Sequence, residues 1–146
     1  STLVAGNIHA GFLPVILFLL AGVMAFATGT SWGTFGIMLP IAAAMAVKVE
    51  PALIIPCMSA VMAGAVFGDH CSPISDTTIL SSTGAHCNHI DHVTSQFPYA
   101  LTVAASAAIG YLILGMTGSA PLGFVVTGIV MVVLIFILKD KNKATA

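Results

Sequence analysis

The chain has 146 residues, of which 58% are hydrophobic and only 6% charged, with a mean hydropathy of +1.08. A soluble domain carries about 25% charged residues, so this composition excludes a water-facing surface and predicts an integral membrane protein. A formal net charge of −1 without any basic stripe argues against a nucleic-acid partner, and Cys57, Cys71 and Cys87, odd in number and without paired spacing, predict no disulfide framework.

No basic segment precedes the first apolar run, so the N-terminal region does not read as a cleavable signal peptide. A chain starting at Ser1 reads instead as processed, or as a piece of a longer protein. Apolar runs of about 17 to 25 residues can cross a bilayer core. The first, Gly11 to Thr28, reads GFLPVILFLLAGVMAFAT and has no charge. A glycine-rich break over Gly29–Gly36 follows, then IMLPIAAAMAV, Ile37 to Val47, which is short for an independent span. The third run is Pro51 to Phe67, and a long polar stretch separates it from the fourth, Phe97 to Gly118. Leu122 to Leu138 is the fifth, joined to the fourth through Ser119-Ala120-Pro121 as an antiparallel helical pair. Strands of a transmembrane barrel would alternate apolar and polar residues over about ten positions. These runs are continuous, so the expected class is an all-α integral membrane fold of about four to five apolar helices.

Orientation follows the lysines and arginines of short loops and tails. Lys139, Lys141 and Lys143 place the tail, residues 139–146, in the cytoplasm. Counting back puts the Ser119 turn outside, the His86–His92 region on the cytoplasmic side, and Lys48, Glu50 and the N-terminus outside.

Two segments break the apolar pattern. TGTSWGTFG, Thr28 to Gly36, has three glycines and hydroxyls on Thr28, Thr30, Ser31 and Thr34. GDHCSPISDTTILSSTGA, Gly68 to Ala85, is expected to unwind around Gly68–Ser75, because Pro73 lacks a backbone donor and disfavours helix in the residues before it. Asp69 and Asp76 flank that opening. Non-helical backbone at membrane depth is tolerated only against protein or a water-filled cavity. Paired interrupted segments of this kind point to the binding site of a secondary transporter. Their hydroxyls, carbonyls and carboxylates are the hard oxygen ligands that a cation such as Na⁺ takes.

The stretches ATGTSWGTFGIMLPIA and FGDHCSPISDTTILSSTGAHCNHIDHVTSQFPYAL resemble the NhaC family of Na⁺/H⁺ antiporters, which also includes Na⁺-lactate/malate-H⁺ exchangers. The resemblance implies an inner-membrane transporter with re-entrant hairpins and discontinuous helices in two inverted halves, of which this chain is the C-terminal one. Residues 10–47 then form a re-entrant helical hairpin, 51–85 a broken helix facing it, and 97–138 a helical pair. The partners implied are membrane lipid and the N-terminal half of the transporter, with a homodimer as a further assembly open to it. No cofactor is implied; Na⁺ and H⁺ are the transported ions.

An ionisable group inside a membrane is costly and is by default a functional candidate. Asp76 is the first candidate for ion coupling: Na⁺ and H⁺ compete for one carboxylate, and their mutual exclusion couples opposite fluxes. Its competing role is local, as the cap of a half-helix beginning at Thr77. Asp69 is the second candidate, with an interfacial carboxylate as the alternative. Ser72, Ser75, Thr77, Thr30 and Ser31 supply neutral oxygens, although hydroxyls in membrane helices often bond only to backbone or to neighbouring helices. His86, Cys87, His89, Asp91 and His92, with Cys71, pose a zinc question, but their spacing fits no familiar finger or ribbon, and no metal site is assigned. A histidine cluster can also sense pH or relay protons, or simply form a solvated loop.

Gly29-Thr30-Ser31-Trp32-Gly33 also matches G-x-S-x-G, the nucleophile elbow of serine hydrolases. That elbow needs a strand before the serine, and here an apolar helix precedes it. An intramembrane serine hydrolase at Ser31 is the alternative from another class, and it leaves the second broken segment unexplained. A small structural subunit without transport leaves both breaks unexplained. No catalytic residue is therefore assigned.

Overall fold

The computed structural model describes residues 9–144, with side chains described for 9–139. The last two residues of the expected cytoplasmic tail, and the Lys141 and Lys143 side chains, lie outside the described residues. The described residues are almost all helical: α1 spans Leu13–Thr28, α2 Ser31–Val49, α3 Ile54–Cys71, α4 Asp76–Gly84, α5 His89–Thr117 and α6 Ala120–Ala144. Short 3₁₀ turns, Ala10–Phe12 and Pro51–Leu53, lead into α1 and α3. Among the described residues five segments are long and apolar enough to cross a membrane: Ala10–Thr28, Ser31–Val49, Pro51–Cys71, His89–Thr117 and Ala120–Lys139.

The first break is narrower than the sequence led us to expect. Gly29 adopts a left-handed conformation (φ 70°) and ends α1, its N–H donating to the Ala25 carbonyl at 2.8 Å. Thr30 then restarts the helix at once: its backbone is extended and its hydroxyl accepts from the Gly33 N–H. A hydroxyl at this position satisfies one of the donors that a helix start leaves free. Gly33 and Gly36 therefore lie inside α2. At 19 residues, and about 1.5 Å per residue, that helix is long enough to span rather than short.

The second break is a four-residue linker, Ser72 to Ser75, between α3 and α4. Helix α3 continues past Gly68 to Cys71, beyond the point where the sequence predicts unwinding. The connection from α4 to α5 is also compact. His86 takes a left-handed φ of 52°, and the N–H groups of His86 and Cys87 close on the Thr83 and Ser82 carbonyls. This is the double closure of a Schellman ending, with histidine where glycine is usual. Asn88 caps α5 by accepting from Ile90 and Asp91 N–H groups, so α5 starts eight residues before the apolar run at Phe97.

Packing centres on α3. Leu13, Leu17, Ala21 and Ala25 of α1, Met38, Ala42 and Ala46 of α2, and Leu53, Cys57, Val61 and Ala65 from the α3 segment form one buried cluster. Each set recurs every four residues and so lies on a single helix face. Helices α1 and α3 approach until their backbones touch: a methyl at Gly64 would collide with the Phe18 carbonyl, and one at Gly68 with the Gly22 carbonyl. Phe18 then stacks on Phe67 and meets Tyr111 at a tilt, joining α5 to the α1–α3 pair. Helix α6 packs on α5, with Gly110 against Thr127, and leaves most of its apolar surface exposed. Lipid or further helices are the natural solvent for such a face.

Candidate functional site

The site forms where the two breaks meet. The Gly29 turn lies against Ile74 in the second linker, closely enough that a Cβ on Gly29 would contact the Ile74 side chain and carbonyl at 2.9 Å. This contact brings the start of α2 and the start of α4 to the end of α3. Asp69, in the last turn of α3, sits between them and is only 4% exposed.

Its carboxylate is met by three hydroxyls. Ser75 Oγ donates to Oδ1 at 2.6 Å, Ser31 Oγ to Oδ2 at 3.3 Å, and Thr77 Oγ1 to Oδ2 at 3.4 Å. Ser75 and Thr77 are themselves 2.7 Å apart through their hydroxyl oxygens. Each position has a local cause. Ser75 is the N-cap residue of α4 with extended backbone (φ −69°, ψ 135°), and its side chain turns back to α3. Ser31 is the first residue of α2, placed by the tight Gly29-Thr30 connection. A carboxylate at two helix N-termini is favoured by the partial positive charge of their free N–H groups. The α3 C-terminus, in whose last turn Asp69 stands, contributes the opposite polarity. Hydroxyls complete the environment because each can donate to a carboxylate or turn a lone pair toward a cation.

The sequence-derived candidates divide into two groups. Asp69, Ser75, Thr77 and Ser31 come together. Thr30 stands beside the group, but its hydroxyl caps Gly33, and its carbonyl accepts from Thr34 Oγ1 at 3.0 Å. Ser72 is fully buried in the linker, and its hydroxyl has no hydrogen-bond partner among the described residues. A buried hydroxyl left unpaired is costly, so this atom is an available oxygen at the break. Asp76 points elsewhere: it is exposed, and its Oδ1 accepts the Thr77 N–H at 2.9 Å. The helix begins at Asp76 rather than Thr77, with Ser75 as the cap residue, so the local bond of Asp76 falls within the first turn.

The polar segment before Phe97 is organised as helix ends rather than as a ligand cluster. Among the described residues no three His, Cys, Asp or Glu side chains gather as a metal would require. A groove of about 740 Å³ between α3 and α5 is lined mainly by apolar side chains such as Met62, Val66, Tyr99 and Val103, with no carboxylate among its lining residues. At Ser31 a helix, not a strand, precedes the hydroxyl, which donates to Asp69.

Sequence reading missed two features here. One is the glycine pair Gly64 and Gly68, whose G-x-x-x-G spacing in an apolar run is a recognisable packing signal. The other is Gln96, which no local pattern marks and which reaches the second break from α5; His89, named in the sequence only within the histidine cluster, reaches the same break.

An uncharacterized protein of Haemophilus influenzae is 66% identical over 141 residues, covering 97% of this chain and 27% of its own length. The malate-2H⁺/Na⁺-lactate antiporter of Bacillus subtilis is 31% identical over 111 residues, 74% of this chain and 23% of its own length. The arginine/ornithine antiporter ArcD of Halobacterium salinarum is 33% identical over 136 residues, 78% of this chain and 27% of its own length. The chain thus spans about a quarter of the length of the curated relatives it matches. No solved structure matches it. The sequence family described as the Na⁺/H⁺ antiporter family matches residues 1–116, and five helices are fit to cross a membrane: the chain is a multi-pass membrane protein belonging to the Na⁺/H⁺ antiporter family.

Proposed function

We propose that this chain carries the ion-coupling centre of a secondary antiporter that exchanges Na⁺ for H⁺ across the cell membrane, with Asp69 as the coupling carboxylate. The observation that carries the reading is the buried Asp69 carboxylate held by Ser75, Thr77 and Ser31 hydroxyls where two helix breaks meet. In the empty site the hydroxyls direct their hydrogens to the carboxylate. Arrival of Na⁺ turns their lone pairs to the ion, and Ser72 Oγ is a further neutral oxygen at the same break. A proton on Asp69 removes the negative charge that holds the cation. One carboxylate thus serves either ion at a time, and alternating exposure of the site converts that exclusion into exchange.

Asp76 supplies a second carboxylate on the outward face of the same break, open to the rest of a longer protein. With each of the five apolar segments among the described residues taken as one crossing, and the Lys139 end in the cytoplasm, the start of α1 lies outside on this reading. Similarity to the Bacillus subtilis protein favours a second reading, Na⁺-coupled exchange of malate or lactate with protons on the same centre.

The test uses everted membrane vesicles containing the full-length protein. A pH gradient is imposed, and Na⁺, K⁺ or Li⁺ is added in turn to the unaltered protein, Asp69→Asn and Asp76→Asn. Na⁺-driven collapse of the gradient that is lost in Asp69→Asn supports the assignment. Loss only in Asp76→Asn moves coupling to the outward carboxylate. A response to Na⁺ that requires malate or lactate selects the second reading, and silence toward every cation and both acids ends the antiporter reading.

A further inference from the structure

A broken helix leaves carbonyls without partners, and each must find a donor elsewhere when water is scarce. In an unbroken helix the His70 carbonyl would accept from Ile74 N–H, and the Pro73 carbonyl from Thr77 N–H. Neither bond forms here: the chain turns at Ser72, and the Thr77 N–H bonds to Asp76 Oδ1 instead. Both carbonyls are met by α5. Gln96 Nε2 donates to the His70 carbonyl at 2.6 Å, and His89 Nε2 donates to the Pro73 carbonyl at 2.6 Å. Residues seven apart lie two turns apart on one helix face, about 10 Å along the axis. The two tethers therefore grip the break from one side, one at the end of α3 and one in the linker.

Hydrogen-bond counting fixes how His89 does this. A carbonyl oxygen only accepts, so Nε2 must carry a hydrogen. Nδ1 lies 3.1 Å from Ser82 Oγ, and that hydroxyl also lies 2.9 Å from the Ile79 carbonyl. When His89 is neutral, Ser82 donates to Nδ1. When it is protonated, Nδ1 donates to Ser82, whose own hydrogen then goes to the Ile79 carbonyl. The tether to Pro73 survives in both states. His89 thus ties the linker, α4 and α5 together, two residues before Ser75 delivers its hydroxyl to Asp69.

We propose that His89 and Gln96 are positioning residues: they clamp the discontinuous helix to α5 and so fix the direction in which Ser75 and Thr77 face Asp69. This rests on Asp69 being the ion site. Without the clamp the linker gains freedom, and the hydroxyls spend less time in the arrangement that binds Na⁺.

The experiment measures the Na⁺ concentration for half-maximal exchange in vesicles of the full-length protein carrying His89→Ala, His89→Gln or Gln96→Ala, with Asp69→Asn alongside. Loss of a partner that orients ligands weakens ion binding by about tenfold or more, so His89→Ala should raise the half-maximal concentration about tenfold while the maximal response persists. His89→Gln, whose amide can donate to the Pro73 carbonyl, should restore most of the affinity, and Gln96→Ala should shift it in the same direction as His89→Ala. A merely structural histidine would instead lower the amount of protein and the maximal response together. An independent readout is alkylation of Cys71, buried beside the linker, in a Cys57→Ala/Cys87→Ala background; it should accelerate in His89→Ala. Unchanged half-maximal Na⁺ and unchanged Cys71 labelling in His89→Ala, with exchange abolished in Asp69→Asn, overturn the clamp and leave the site. Normal exchange in Asp69→Asn overturns the site and the clamp's role in Na⁺ affinity, and the Cys71 rate then decides whether His89 holds the break at all.

Discussion

Gly64 is the residue whose replacement tests most directly how packing positions the site. A methyl added there meets the Phe18 carbonyl oxygen in outright collision and the Phe18 carbonyl carbon and Cα at 2.9 and 3.0 Å. All three are backbone atoms, so no side-chain rotation relieves the contact. Relaxed carbon contacts need about 3.5–4.0 Å, so α1 and α3 must move apart by roughly 1 Å. Overpacking of this kind costs about 1–3 kcal/mol, and alanine's better helix propensity returns up to about 1 kcal/mol. Gly64→Ala should therefore destabilise the protein by about 1–2 kcal/mol, read as a lowered unfolding midpoint in detergent. The same displacement reaches the site. Ser31 follows α1 across a two-residue connection and stands 3.3 Å from Asp69, and an added ångström takes it out of hydrogen-bond range. Exchange should weaken along with stability. Gly36→Ala is the matched control, since nothing lies within 4 Å of a Cβ there, and it should leave stability unchanged or raise it by up to about 1 kcal/mol. Wild-type stability in Gly64→Ala, or an equal loss in Gly36→Ala, would refute the close-approach argument.

Ser75→Ala removes the hydroxyl nearest the Asp69 carboxylate and with it a neutral oxygen for the cation, so half-maximal Na⁺ should rise about tenfold or more, the scale of losing a group that supports an ion site. Thr77→Val keeps the shape and removes the more distant hydroxyl, and titration of exchange against Na⁺ should show a smaller shift in the same direction. A serine-reactive fluorophosphonate should leave Ser31 unmodified, as mass spectrometry of the labelled protein would show; a Ser31 adduct would revive the hydrolase reading. Cys87 is exposed on the loop assigned to the cytoplasm, so a membrane-impermeant maleimide should label it in everted vesicles and not in intact cells. The reverse pattern would invert the topology.

The sequence by itself determined the solvent of this protein and the places where its helices stop. Runs such as Gly11–Thr28 and Leu122–Leu138 are legible because lipid demands continuous apolar surface and helix satisfies its own backbone. Both breaks are legible too, since a left-handed glycine at residue 29 and a proline without a donor at residue 73 act within a few residues of themselves. Their extent was less so. Thr30 and Asn88 restart helices through single side-chain caps, which lengthened α2 and α5 beyond their apolar cores. Tertiary structure alone decided which aspartate gathers oxygens. From the sequence, Asp76 stands beside the break as the first candidate and Asp69 as the second. Only the continuation of α3 to Cys71, the contact of Gly29 with Ile74 and the grip of α5 on the linker bring Ser31, Ser75 and Thr77 to Asp69 and leave Asp76 facing outward. Those distances join residues 38 and 6 positions apart along the chain. Local propensity has no hold over the longer one, because the approach of Ser31 depends on how closely α1 and α3 can pack at Gly64 and Gly68.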